Sequence, residues 1–572
     1  MEAHKQFKVE CLRPEEAWKL FQMKVGRETL NNDPDILQVA KLVAKECDGL
    51  PLALITIGRA MACKKTVEEW NHAIHVLKEL AFKFSGMDEE VYSLLKFSYD
   101  SLASDTLRSC LLYCSLFPED YKIKIRDLID CWIGEGFFDE YEAGYSIIGD
   151  LLCACLLEEE DYDGLKMHDV IRDMALWLAC EIEKKKEKFL VQTSVGLTKA
   201  PETRKWEGVK RMSLIGNRIE NLFEIPSCPH LSTLFLNKTS LKMINNDFFR
   251  FMPSLKVLNL SSNYLIEFPL GISKLVSLQH LNLSSTSIKE LPDELKALAN
   301  LRCLNLGNMH HLHRVPLRLI SSFAKLRIFR LFNWELGPVG DNILSGGGEY
   351  LVEELLCLKY LKALSIQLNG SCSLGKFLKS QKLHSCTQFL WLEGVEESLS
   401  VLSLTGMEHL YELAIISSGL EELKIDYCPG EIQKILESHF FHSLGKVEIY
   451  GCIKLRDATW LVFAPNLKDI RINECGDMEE VISVEKCGQV KEEIESLNPF
   501  AKLEHLKLFN LRRLKSIYWK PLPFPHLKQI TALFCPSFVK LPLDFNNVKE
   551  RKIVIEVHTH LLEELKREDP PT

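Results

Sequence analysis

The sequence predicts a multidomain chain of the α plus α/β class: a helical bundle, a winged-helix unit, then a leucine-rich-repeat solenoid of horseshoe form. The second half repeats the spacing L-x-x-L-x-L. Its sets are Leu231, Leu234, Leu236, Leu241; Leu255, Leu258, Leu260, Leu265; Leu278, Leu281, Leu283, Ile288; and Leu301, Leu304, Leu306, Leu312. They start 24, 23 and 23 residues apart, within the ~20–29-residue period of a leucine-rich repeat. The first third instead places its apolar residues at helical spacing, and 572 residues exceed what one core supports. A single repeat cannot bury its apolar face, so the units must stack. The result is a long concave surface with no chemistry of its own, which favours recognition over catalysis.

The elements follow in order. Residues 14–25 begin with Pro and two acids, which suit a helix N-terminus. A helix over 34–47 stops at Asp48-Gly49, with Gly49 as the left-handed residue past its end. Pro51 then fits the first turn of a helix over 51–61, and 68–80 is a further amphipathic helix. Together these make a helical unit, 1–82. Helical stretches at 91–102, 105–116, 125–137 and 145–157, a hairpin turning at Asp163-Gly164, and a helix over 169–183 make a winged-helix unit, 83–185. The polar run Glu181 to Lys188 reads as a solvated helix end leading into a linker, 186–208. Repeats fill 209–560, starting at Val209, Met212, Leu214 and Ile219, and a polar tail closes the chain, 561–572.

Beyond the regular block the repeats continue less evenly, through strands centred on Phe329, Leu364, Leu413, Val447, Ile470, Leu506 and Ile530. Gly346-Gly347-Gly348 reads as a flexible insertion between two of them. Cys428, Cys452, Cys475 and Cys535 each follow a strand by three residues, the Asn/Cys position of the repeat turn, so their role is structural.

Composition narrows the function. The apolar fraction of 46% and charged fraction of 26% are ordinary for a globular protein. A net charge of −9 argues against a general nucleic-acid binder. The polar start MEAHKQFKVE has no apolar h-region, and no apolar run approaches a membrane span. The expected compartment is the cytoplasm, with membrane association through partners or a nuclear location as alternatives. Most of the 19 cysteines sit in apolar runs, as reduced buried thiols do. No paired C-x-x-C spacing points to zinc, and His310, His311 and His313 lack a partner at ligand spacing, so no metal is expected.

Catalytic machinery is also not legible. Gly370, Gly375 and Lys376 match the start of a P-loop, but Phe377 stands where the magnesium-binding hydroxyl belongs. No complete P-loop and no apolar strand ending in paired acids occurs, so no catalytic residue is assigned and the chain reads as a non-enzyme. The helix 125–137 sets Arg126 against Asp127, Asp130 and Glu135, a poor reader of DNA. The repeat strands point the residues between their leucines outward. Early strands offer Val257, Asn259, Ser261, His280, Asn282, Ser284, Cys303, Asn305 and Gly307 there; later ones offer Ile328, Lys446, Glu448, Asp469 and Asn473. Arg330, Phe332, Tyr450 and Arg471 are the candidate partner contacts, being residue types that anchor protein interfaces.

Several motifs carry a resemblance. Gly49-Leu50-Pro51-Leu52-Ala53-Leu54 is similar to the GLPL motif of NB-ARC switch proteins. LLKFSYDSL (94–102) and CLLYCSLFPED (110–120) resemble conserved blocks of coiled-coil-type plant resistance proteins. Met167-His168-Asp169 matches the MHD switch motif, and FFRFMPSLKVLNLS (248–261) resembles the first regular repeats of the same family. The chain thus resembles plant intracellular NB-ARC leucine-rich-repeat immune receptors, without their coiled coil and P-loop subdomain, whose counterparts would precede Met1. The resemblance implies that 1–82 and 83–185 are the two ARC subdomains. It implies repeats that restrain this switch module and bind a pathogen effector or a guarded host protein. ADP, weakly held, is the one cofactor it allows. Gly49, Leu50, Pro51, Leu52 and His168 would touch the nucleotide, Pro51 near the adenine and His168 near the β-phosphate. The alternatives are a non-signalling scaffold or decoy pairing with full-length receptors, and an ADP-binding switch with a vestigial site.

Overall fold

A computed structural model describes residues 11–83, 87–160, 163–182, 188–333, 342–344, 347–395, 401–403, 407–424, 441–487, 498–522, 524–538, 541–543 and 553–557. Two compact units result: Met1–Asn263 with Lys274–Leu281, and Tyr264–Ser273 with Asn282–Thr572. Among the described residues no helix is long and apolar enough to cross a membrane.

The first unit begins with helices α1 (Pro14–Val25), α2 (Arg27–Asn31), α3 (Pro34–Glu46), α4 (Pro51–Met61), α5 (Val67–Lys83) and α6 (Met87–Asp100). Proline occupies the first turn of α1, α3 and α4, where its missing N–H costs nothing. The Asp33 side chain caps α3 by accepting from the Asp35 N–H at 2.8 Å. Phe21, Ile36, Val43, Leu54, Ile57, Trp70 and Leu77 form their shared core. Gly49 has a φ of +71°, and a β-carbon there would stand 2.4 Å from the Leu12 carbonyl oxygen, so only glycine fits.

The winged-helix portion follows. It comprises α7 (Asp105–Cys114), β1 (Ile123–Lys124), α8 (Ile125–Glu135), α9 (Tyr141–Cys153), β2 (Glu158–Glu160), β3 (Gly164–Lys166) and α10 (Asp169–Trp177). The strands pair antiparallel in the order β1-β3-β2, and β2 and β3 are the expected hairpin. Two helices end early. Gly136, at φ +86°, stops α8 before Phe137, and α10 widens into a π-helical turn at Leu178–Ile182. The helix expected over 145–157 starts four residues sooner, at Tyr141. Most of the polar run after Glu181 lies outside the described residues.

The stretch expected as a linker contains a strand. β4 (Lys188–Val191) pairs in parallel with β5 (Val209–Ser213), so the sheet starts about twenty residues before Val209, where the repeats were expected to begin. β6 (Asn221–Leu222) and β8 (Met243–Ile244) form a small separate pair, while β5 is followed in the main sheet by β7 (Thr233–Phe235) and β9 (Val257–Asn259). β10 spans His280–Asn282. Inward leucines such as Leu234, Leu258 and Leu281 are fully buried.

In the second unit β11 (Cys303–Asn305), β12 (Ile328–Leu331), β13 (Ala363–Asn369) and β14 (Thr387–Glu393) run parallel and adjacent. The glycine run proves to be structured where it is described. Gly348 caps the helix α11 (Glu349–Cys357), and Gly347 packs so tightly that a β-carbon would collide with the Asn369 carbonyl. Helices α12 (Ser371–Leu378) and α13 (Gln381–Cys386) follow β13. Lys376 of the incomplete P-loop is held by Glu349 at 2.7 Å and by Glu353. A short side pair, β15 (Val401–Ser403) with β17 (Glu422–Lys424), flanks the main sheet. That sheet continues from β14 to β16 (Glu412–Ile416), β18 (Lys446–Tyr450), β19 (Asp469–Asn473), β20 (His505–Phe509), β21 (Gln529–Leu533) and β22 (Val554–Val557).

The turns after the strands explain the Asn/Cys position. Asn263 donates to the Leu236 and Leu260 carbonyls, both at 2.8 Å, and accepts from the Thr239 and Leu241 N–H groups. Later, Cys452, Cys475 and Cys535 take this place as buried thiols that donate to nearby carbonyls. Cys428 and the 561–572 tail lie outside the described residues.

Candidate functional site

The first unit contains a seat for α8 on the sheet. β5, β7 and β9 align Arg211, Thr233 and Val257 in one row of the outward face. The C-terminal end of α8 lies on this row. Glu135 accepts from Arg211 Nε at 3.2 Å and Nη2 at 3.1 Å, from the Ser232 hydroxyl at 3.1 Å, and from the Thr233 hydroxyl. Both members of the ion pair are buried. Burial opposes the Glu135 charge, but the Arg211 guanidinium and the two hydroxyls prevail and hold its carboxyl below the usual range. Aromatic rings close the rim: Tyr113 and Phe117 pack on Phe235 with centroids 5.9 and 5.4 Å away, and Arg211 lies over Tyr113, Phe137 and Phe189.

This seat corrects the expected open face of the early strands. Val257 and His280 are buried, because Gly134 of α8 sits directly on both. Asn282, Cys303 and Asn305 are also buried rather than presented to solvent. The sequence signal for the seat was slight: Glu135 stood out only as an acid opposing Arg126, and Arg211 not at all. A buried charge reveals itself only when its partner, 76 residues away, is brought to it.

The two switch-like motifs lie on elements joined by one helix. Leu50 caps α4 and Pro51 is its first residue, exposed, with Leu52 half-buried behind it. Met167 is buried, His168 caps α10, and Asp169 is its first residue. α6 packs against both α4 and α10, with Tyr92 5.9 Å from Trp177. His168 Nδ1 accepts from the Val170 N–H at 3.2 Å. That bond leaves the ring proton on Nε2, where it can be donated outward. The His168 imidazole therefore sits at the N-terminus of α10 with one ring N–H directed away from the helix.

The four candidate partner contacts divide. Arg330 is only 6% exposed, between Asn305 and Ser365 in register, and so is not the open contact the alternation predicts. Phe332 lies against Gly307 and 4.6 Å from Phe389, half-buried in an aromatic cluster. Tyr450 is exposed. Arg471 is exposed but bound to Asp469 at 3.2 Å and Glu448 at 3.4 Å, so its charge is already compensated.

Comparison with known sequences agrees with this architecture. Residues 116–175 match the winged-helix domain of disease resistance proteins, 229–288 match leucine-rich repeats, and 419–542 match the repeats of RPS2-like plant disease resistance proteins. In Arabidopsis thaliana, "Probable disease resistance protein At1g61300" is 41% identical over 95% of this chain and 70% of its own length. The chain belongs to the plant disease resistance protein family. Disease resistance protein RPS5 is 43% identical over 94% of this chain, and SUMM2 44% over 96%, both from Arabidopsis thaliana. The chain spans 60% and 61% of these two family members. The family's winged-helix match covers all of α8, so the seat on β5 and β7 joins the two hallmarks of the family.

Proposed function

We propose that this chain is a recognition and restraint portion of a plant disease resistance receptor, acting through protein contacts rather than catalysis. Its repeats would bind a pathogen effector or a guarded host protein and hold the winged-helix switch in check. The observation that supports this reading is the Glu135 seat. A charge on the winged-helix portion is desolvated and, among the described residues, satisfied by repeat residues alone, so separating the two leaves Arg211 without its carboxylate. Such a contact is costly to open and is suited to control by a ligand that favours the open form.

The test is expression in leaf tissue of the chain, its Glu135→Lys form, and the compensating Glu135→Lys/Arg211→Glu form. The single change is expected to expose α8 amides to hydrogen exchange and to alter defence output, and the double change to restore both. If exchange responds while defence output ignores all three proteins, the restraint reading fails. The nucleotide reading is tested separately. Melting with and without ADP is expected to coincide, because the motifs offer a single imidazole donor; clear stabilisation would put the ADP switch first.

A further inference from the structure

From β14 to β20 the outward face of the second unit is a ladder of charges that mostly pair with one another. Register places Phe389, Glu412, Lys446, Asp469 and His505 in one row. The next holds Trp391, Ala414, Glu448, Arg471 and Lys507, and the third holds Glu393, Ile416, Tyr450, Asn473 and Phe509. Lys446 is bound to Glu412 and, at 3.0 Å, to Glu448; Arg471 is bound to Glu448 and Asp469. Three carboxylates there, Glu412, Glu448 and Asp469, meet two cations, so the middle of the face is mostly paired with a small negative excess.

Its two ends differ. Glu393 accepts only from the Gln367 amide at 3.0 Å, and among the described residues no cation pairs with it. Burial pushes its carboxyl above the usual range. Beside it on the same strand face stands Trp391, half-buried, with an indole N–H that finds no acceptor among the described residues. Ala414, in register with Trp391 on the next strand, is small and buried. A carboxylate next to an indole face is a receptor for a guanidinium or ammonium group. At the other end Lys507, between Arg471 and Thr531, has no carboxylate within ion-pair distance among the described residues. Ile416 and Tyr450 lie between these ends on the third row, with Tyr450 43% exposed.

We propose that this face binds a protein segment that sets a basic side chain on Glu393 and Trp391, apolar side chains along Ile416 and Tyr450, and an acidic side chain on Lys507. The proposal rests on the reading of the repeats as a recognition surface and names the chemistry of what they recognise. Four strand steps of about 4.8 Å separate the two charges, roughly 19 Å. A helix covers that distance in about 13 residues and an extended chain in about 6.

The experiment probes the full chain with an array of synthetic peptides carrying two charges at either spacing, with apolar residues between. One set has Arg and Glu, one has two Arg, one has two Glu. The wild type is expected to prefer the Arg and Glu set about tenfold. Glu393→Arg should shift preference to the two-Glu set, and Lys507→Glu to the two-Arg set. Glu393→Gln and Lys507→Gln should abolish preference without reversing it, which an unfolded protein would not reproduce. If the wild type binds the peptides and the charge swaps leave the ranking unchanged, the proposal is overturned while the recognition reading stands. If the wild type binds none of the three sets, the proposal is overturned as well, and the recognition and restraint reading is decided separately by the Glu135→Lys and Glu135→Lys/Arg211→Glu proteins.

Discussion

Gly134 and His280 touch so closely that a β-carbon on the glycine would stand 2.5 Å from the His280 β-carbon. α8 reaches the sheet there because one residue of its last turn has no side chain. The Glu135 ion pair follows from that approach: the next residue can place its carboxylate on Arg211 only if the backbone before it lies flat against the strand row.

Gly134→Ala is therefore expected to lift α8 off the sheet. Gly149→Ala is the comparator, since nothing lies within 4 Å of a β-carbon there and α9 gains up to about 1 kcal/mol of helix propensity. Limited proteolysis and hydrogen exchange should show α8 opening in the first variant only. Equal protection in both would refute the tight contact.

Glu135→Ala and Arg211→Ala should each destabilise the first unit by about 3–5 kcal/mol, because each breaks a buried, hydrogen-bonded ion pair by removing one member. The double substitution should cost less than the sum, with a coupling of about 1–3 kcal/mol. Urea unfolding of all four proteins measures it; strictly additive losses would mean the two residues do not share one network.

Acid should loosen the same seat in two steps. Burial holds the native His280 imidazole down at about 4, against its ordinary value of 6.5. Between those values the unfolded chain binds a proton that the native chain refuses, so stability rises with pH across the window. Acidifying from 6.5 to 4 should remove on the order of 3 kcal/mol. The Glu135 carboxyl, held below its ordinary 4.5, begins to add its loss as the pH falls through about 4.5 and goes on losing stability below that. His280→Gln should flatten the upper part of the curve. A variant whose melting temperature tracks the wild type from pH 7 to 5 would show that His280 is not the group responsible.

Asn263→Ala should cost about 3 kcal/mol or more, since it leaves the Thr239 and Leu241 N–H groups without their acceptor inside the solenoid. Asn245→Ala, which loses a bond to the Phe223 carbonyl at the surface and one from the Asp247 N–H, should cost about 1 kcal/mol. Thermal melting separates the two. Similar losses would mean that the Asn position is decorative.

The helices of the first unit were legible from local signals, because Pro51, Asp33 and Gly49 act within a turn of themselves. Boundaries set by a single left-handed glycine, as at Gly136, were placed one or two residues late. β4 was missed because Lys188–Val191 lacks the leucine spacing and is a strand only by virtue of pairing with β5. Cys452, Cys475 and Cys535 were readable as turn residues, since the repeat fixes their place, whereas Asn263 was not singled out.

The sequence alone determined the stack of parallel strands, the inward leucines and the outward direction of every residue between them, because strand alternation is a property of neighbours two positions apart. Only the tertiary structure decided which outward residues meet solvent. Val257 and His280 lie beneath a helix encoded more than a hundred residues earlier, and Arg471 is neutralised by acids on its own and the adjacent strand. Coverage and charge compensation depend on what folding brings alongside, and no local pattern encodes that.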